Sequence, residues 1–454
     1  MSVKFIGADQ GLQYLFPPSV QDWLPEKHLA RFVVEIVEQL DLRSLKESYT
    51  CSGNRPYHPV MLLALLFYGY ATGVFSSRKI ERATFDSVAF RFIAAGGHPD
   101  HDTLATFRRR FLDELAGIFV QVLELAQEMK LLKLGTISLD GTKVHANASR
   151  HSALSHGHIE KLEAHLKAEV QELLALAEQA DRADVPDGVS LPAEIKRREE
   201  RLLAMAEAKA KIADRAKERF EREQATYAAK VAQRDAKTKE NGKKPGGKPP
   251  KPPVAGVQST DQINLTDEES RIMPVSGGGF EQAYNAQAAV DANSLLVVAA
   301  AVTQAPHDKE QVVPMLEQLA VLPQSLGKVD QLLADSGFYS SKNVVACEEA
   351  GIEALIAVAR DKHHVGWLDR FTEPAPLSET ATAAERMAHR LKTKTGRAAY
   401  ALRKQTVEPV FGIIKSVLGF RQFLLRGLNK AAGEWRLVCL AWNLKRMATL
   451  RLQT

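Results

Sequence analysis

Two short apolar runs each end in an aspartate, and that repetition constrains the fold more than any other feature of the chain. Residues 133–140 read KLGTISLD and residues 329–335 read VDQLLAD. Both are aliphatic and too short for an ordinary helix, so they read as buried strands. An acid at the end of such a strand stands at the edge where open α/β sheets hold their ligands. The bland alternative for Asp140 or Asp335 is a turn aspartate bonded to its own backbone.

Other patterns set the surroundings. Residues 1–130 read as helical. Leu29, Phe32, Val33, Ile36, Val37 and Leu40 recur at helical spacing, and residues 59–71 open with proline and continue VMLLALLFYGYA. A break at residues 96–99 (GGHP) precedes a long helix expected over 104–130. Asp102 or Thr103 is its expected cap, and its apolar face is Phe107, Phe111, Leu115, Ile118, Val122 and Leu125. A short helix, a turn, and a helix opening with Arg108, Arg109 and Arg110 have the outline of a helix-turn-helix, with Arg108 and Arg109 as DNA contacts. The alternative is a helical bundle with a solvated basic face.

After the first aspartate the sheet pattern is interrupted. Ile159, Leu162, Leu166, Val170 and Leu173 have heptad-like spacing, a loop carries Pro186, Gly188 and Pro192, and a highly charged helix is expected over 192–234. The pair reads as an inserted antiparallel helical hairpin. Residues 237–253, KTKENGKKPGGKPPKPP, have nothing to bury and are expected to be disordered. Strands are then expected at 284–290 and 294–302, joined by Asp291, Ala292 and Asn293, and at 352–358 after the second aspartate-ended run. Helices are expected at 309–319, 341–350 and through most of 381–450. The predicted domains are a helical N-terminal DNA-binding domain at 1–130, the start of an α/β domain at 131–150, the hairpin at 151–236, a Lys/Gly/Pro linker at 237–256, and the rest of the α/β domain at 257–454. That order of elements resembles the ribonuclease H-like fold, and the resemblance implies that the first and fourth strands lie side by side and parallel, which would bring both aspartates to one crevice.

Composition narrows the partners only a little. The chain has 454 residues with a formal net charge of +5, which is compatible with a polyanion but does not require one. Cys51, Cys347 and Cys439 are far apart and form no CxxC pair, so neither a disulfide framework nor a cysteine zinc site is expected. His145, His151, His156 and His158 cluster after the first strand and leave a zinc site open as a lesser reading. No apolar stretch approaches the roughly 18 residues of a membrane helix, and no signal peptide is evident, so a cytoplasmic protein is expected.

A third acid stands in the C-terminal helical region. Tyr400-Ala401-Leu402-Arg403 is followed by Lys404 and then by residues 407–415, VEPVFGIIK. Glu408 and Lys415 are seven apart and so share a helical face. Pro409 is expected to start a new helix or to kink one there. Taken alone, Glu408 and Lys415 would be a surface pair on an amphipathic helix.

Together these pieces resemble the DDE transposases of bacterial insertion sequences. The resemblance runs through PDHDTLATFRRRF, DGTK, EQAYNAQAAVD, ADSGFYS and VEPVFGIIKSVLGFRQFLLRG. Asp140, Asp335 and Glu408 resemble the catalytic DDE triad, and residues 400–415 resemble the Tyr-Arg-Glu-Lys signature. One departure is visible: four residues rather than three separate Arg403 from Glu408, which makes Lys404 a rival for the arginine's place. The resemblance implies an α/β fold with a ribonuclease H-like mixed sheet flanked by helices. It implies Asp140, Asp335 and Glu408 as ligands of two Mg²⁺ or Mn²⁺ ions, with Asp140 bridging. It implies double-stranded DNA as partner, both transposon ends and target, with Tyr400, Arg403, Lys404 and Lys415 contacting DNA. It also implies a homodimer on paired ends and a nucleoid-associated location. Two rivals stay open: a metal-dependent nuclease of the same fold, and a non-catalytic, domesticated DNA-binding relative.

Overall fold

The structure, a computed structural model, describes residues 19–49, 56–149, 152–180, 190–242, 246–275, 278–359, 372–378 and 380–453. Pro186, Gly188 and His151 lie outside them. The chain divides into two compact units, residues 1–145 with 284–454, and residues 146–283.

Among the described residues, the first unit opens with eight helices: α1 (Val20–Trp23), α2 (Leu29–Gln39), α3 (Arg43–Glu47), α4 (Pro59–Ala71), α5 (Ser77–Asp86), α6 (Val88–Ile93), α7 (His101–Arg110) and α8 (Leu115–Glu128). α4 is apolar on every side and almost wholly buried, as such a helix must be. The single helix expected over 104–130 is in fact two. α7 is capped by Asp100, whose side chain accepts from Thr103 N, not by Asp102 or Thr103, and it ends at Phe111 before α8 begins. Phe107, Phe111, Leu115 and Ile118 are all buried across this split. The split puts Arg108, Arg109 and Arg110 in the last turn of α7, where cations complement the helix dipole, rather than at a helix start.

The strands are β1 (Leu134–His145), β2 (Ala153–Ser155), β3 (Gln262–Asn264), β4 (Arg271–Pro274), β5 (Phe280–Asp291), β6 (Val297–Thr303), β7 (Gly327–Ala334) and β8 (Glu353–Ile356). The main sheet runs β4-β5-β1-β7-β8, with β6 also paired to β5. β1 and β7 are parallel neighbours, from Thr136 opposite Gln331 to Leu139 opposite Ala334. β7 and β8 are likewise parallel, and β5 and β6 antiparallel. Mixed α/β architecture behind a helical N-terminal region is thus present. β6 starts at Val297 rather than 294, because Asp291 accepts from the backbone of Asn293 and Ser294 and from the Ser294 hydroxyl, which lengthens the turn.

One strand differs in a way that matters for the site. β1 does not end at Asp140 but continues to His145. Val144 is fully buried, and His145 finds backbone partners in Arg421 and Phe423, so the extension is packed and paired. Gly141 lies inside the strand. A Cβ there would meet the side chains of Gln287, Asp308 and Asn285.

The later helices are α9 (His156–Ala180), α10 (Leu191–Asn241), α11 (Val312–Ala320), α12 (Ser341–Glu349), α13 (Ala383–Lys392), α14 (Lys394–Gly412) and α15 (Leu428–Arg451). α9 and α10 form the second unit's antiparallel pair, with Glu169 facing Arg198 and Glu163 facing Lys209. Ile159, Leu166, Met205, Ala208 and Ile212 close a small core there with Leu154 and Ile263. α10 begins before Pro192, which sits in its first turn, and continues five residues into the segment expected as linker. α14 passes through Pro409 without ending. Proline has no N–H for the Gln405 carbonyl, and the π-helical turn Ile413–Val417 follows directly. α15 is buried along most of its length. Trp435 Nε1 donates to Gln287 O and Trp442 Nε1 to Leu295 O, both at 2.9 Å. Asn443 makes two 2.8 Å bonds to the Val297 backbone, satisfying the edge of β6 as a neighbouring strand would.

Candidate active site

The register of β1 and β7 brings the two aspartates together. Leu139 pairs with Ala334, so Asp140 and Asp335 are the next residues on adjacent parallel strands, and neighbouring strands are about 4.8 Å apart. Asp335 also makes the local bond expected of a turn aspartate, accepting from Gly337 N at 2.8 Å, while Asp140, inside β1, accepts from the next residue's Gly141 N at 2.8 Å. Each bond uses one oxygen of its carboxylate, so the local and chemical roles do not compete. Burial pushes the Asp140 carboxyl up to about 7, and the like charges of Asp335 and Asp308 add to this. The Gly141 N–H and the Arg403 guanidinium act the other way.

Asp308, after β6, is the residue that sequence reasoning missed. Its Oδ1 accepts from Asn285 Nδ2 at 2.7 Å and Gln287 Nε2 at 2.6 Å, and Lys143 Nζ stands 3.8 Å away. Asn285 and Gln287 alternate along β5 and are both fully buried. Two amides at alternate positions of a buried strand, in EQAYNAQAAVD, were a legible sign that a polar partner faces that side. Nothing in APHDKEQ marks Asp308 as that partner.

α14 supplies the third group of residues. Arg403 pairs with Glu408 at 2.9 Å; the arginine is largely covered and the glutamate half-exposed. The guanidinium lies 5.8 Å from the centre of the Tyr400 ring. Lys404, the rival for the arginine's place, is exposed on the same helix. Lys415 does not pair with Glu408. Lying in the π-helical turn, it donates from Nζ to the Lys143 carbonyl at 2.6 Å, which docks this segment on β1. Burial pulls the Lys415 ammonium down to about 8, with Lys143 and Arg421 adding repulsion.

The N-terminal arginines part company. Arg108 is buried, donating to the Tyr70 hydroxyl at 2.9 Å and the Phe75 carbonyl at 3.2 Å, with Glu434 at 3.9 Å. Its expected place on a DNA-facing surface is corrected to one in the core. Arg109 is exposed.

Whether these residues suit divalent cations turns on charge and reach. Asp140 and Asp335 fit: they are adjacent, hard oxygen donors, and the Asp140 carboxyl is pushed up by burial and by the like charges of Asp335 and Asp308. Glu408 is held by Arg403 instead, and no group of three or more His, Cys, Asp or Glu among the described residues is placed to hold a metal ion. The histidines after the first strand therefore form no such group either, among the described residues.

Comparison with known families fits this arrangement. A family model described as a transposase DDE domain matches residues 259–444, a span that includes Asp308, Asp335, Arg403, Glu408 and Lys415. A second, described as a transposase domain (DUF772), matches residues 18–110. Asp140 falls between the two matches. No curated protein and no solved structure matches the chain. Both models are of transposases and together they span more than half the chain, which belongs to the DDE transposases of the insertion-sequence kind. No helix among the described residues is long and apolar enough to cross a membrane.

Proposed function

We propose that this chain cuts and joins DNA at insertion-sequence ends by phosphoryl transfer, on a ribonuclease H-like sheet, with Asp140, Asp335 and Glu408 as its catalytic acids. The observation that carries the reading is the β1–β7 register, which sets Asp140 and Asp335 side by side while Lys415 ties α14 to the same strand. Asp140 and Asp335 would hold Mg²⁺ or Mn²⁺, two ions in the complete site. Bound there, the cations supply Lewis acidity and charge neutralisation toward the phosphoryl group.

The chain's own residues do the rest. Lys415, half-buried against β1, offers an ammonium to a DNA phosphate. Arg403 and Tyr400 face the transposon end. When Arg403 takes a phosphate it gives up Glu408, which is then free to join the aspartates. Arg403 is thus both the DNA contact and the group that holds the third acid back in the free chain. Cleavage by water leaves a 3′-hydroxyl and a 5′-phosphate. Joining turns that hydroxyl on a target phosphodiester, so one bond forms as one breaks. The partner is double-stranded DNA, and a homodimer on paired ends is the assembly proposed.

A nuclease on the same fold would cut without joining, and a domesticated relative would do neither. Pre-cut ends carrying a free 3′-hydroxyl separate the three. With Mg²⁺, joined product is expected from such ends mixed with supercoiled target. Cutting of uncut ends with no joining would select the nuclease, and binding alone would select the domesticated relative.

A further inference from the structure

This inference deepens the reading above and rests on it. We propose that Lys143 is a phosphate contact of the reaction centre, gripping the DNA phosphodiester beside Asp140 together with Lys415. Lys143 stands on β1 three residues beyond Asp140, and its side chain is only 16% exposed. The one carboxylate paired with it among the described residues is Asp308, at 3.8 Å. That separation is too long for a hydrogen bond. Asp308 Oδ1 already accepts from two amides, so the pairing steadies the ammonium by charge and leaves its N–H groups for another acceptor.

A second ammonium lies against the Lys143 backbone. Lys415 Nζ bonds the Lys143 carbonyl at 2.6 Å, and Arg421 Nε bonds the Lys415 carbonyl at 3.1 Å. Lys415 has no ion-pair partner among the described residues. Three cations thus gather where the Ile413–Val417 turn meets β1, and Lys415 is flanked by the charges of Lys143 and Arg421. Burial draws the Lys143 ammonium below its ordinary range although Asp308 and Asp140 both oppose this. Cations held close at such cost await an anion, and next to Asp140 that anion is the DNA backbone. Lysine suits it as a compact point charge on a flexible stem.

The test is equilibrium binding of Lys143→Gln to a duplex carrying the terminal sequence that flanks the reading frame, in EDTA and across a range of salt. Lys143→Gln is expected to bind about tenfold more weakly, the loss of one charge-assisted hydrogen bond. Its slope of log affinity against log salt should be shallower by about 0.9, one phosphate contact. Lys143→Arg, which keeps the charge, should keep the slope. A scan of single methylphosphonate linkages should find one that weakens the wild-type chain and leaves Lys143→Gln unaffected. Lys143→Met replaces Lys143→Gln if the latter fails to fold. A folded, uncharged variant with the wild-type slope overturns the proposal, as does a scan that costs the variant as much as wild type at every linkage. A normal slope in a variant that still cuts DNA sinks this inference alone; a wild-type chain that neither binds nor cuts the duplex sinks the functional reading beneath it.

Discussion

Asp335→Asn is expected to abolish strand cleavage while the affinity for the terminal duplex in EDTA stays close to wild type. The substitution keeps the shape of the side chain and can keep the 2.8 Å bond from Gly337 N, so the turn after β7 survives. What it removes is one of two adjacent anionic oxygen donors. Cation stabilisation of a phosphoryl transition state is worth several kcal/mol, and each 1.36 kcal/mol is tenfold in rate. The rate should therefore fall by about a thousandfold or more. Binding depends mainly on cationic side chains that the substitution does not touch. Nicking of a labelled duplex, set beside a binding isotherm, reads both. A variant that cuts within tenfold of wild type would remove Asp335 from the chemistry.

Glu434→Ala is expected to cost about 3–5 kcal/mol of stability. Its carboxylate is fully buried and accepts from the Tyr70 hydroxyl at 2.8 Å, Leu424 N at 2.8 Å and Leu425 N at 3.0 Å, with Arg108 at 3.9 Å. Burial pushes this carboxyl above its ordinary range, against the field of Arg108. Alanine would leave two amides without their acceptor and the Arg108 cation without its counter-charge. Replacing both charged partners, as Glu434→Leu with Arg108→Met, should recover much of the loss, because no buried charge is then left unpaired. Urea unfolding followed by tryptophan fluorescence, with Trp435 next in sequence and fully buried, compares the single and double variants. A Glu434→Ala midpoint equal to wild type would contradict the account of this core.

The strand pattern was legible because it is local, two apolar runs with an acid after each; their parallel pairing was expected only from the fold that the order of elements resembles. The hairpin was legible from heptad spacing for the same reason. What escaped was decided by contacts distant along the chain. The run ending at Asp140 gave no sign that β1 continues through Gly141, a strand residue whose missing Cβ makes room for Gln287, Asn285 and Asp308. The three arginines of α7 looked alike, and only the fold assigns Arg108 to Glu434, more than 300 residues away, while Arg109 stays exposed. Pro409 looked like a boundary because local rules disfavour it inside a helix; α14 accommodates it and the π-helical turn follows. Asp308 carries no local mark, and its place follows from the side of β5 that presents Asn285 and Gln287.

The central claim is that three acids share one set of cations, although Glu408 is paired with Arg403 in the free chain. Calorimetric titration of Mn²⁺ into the chain bound to its terminal duplex addresses this directly. Asp140→Asn should remove the tight binding, and Glu408→Gln should weaken it by about tenfold, close to one charged ligand's worth. Mn²⁺ affinity and stoichiometry unchanged by Glu408→Gln in that complex would contradict the account.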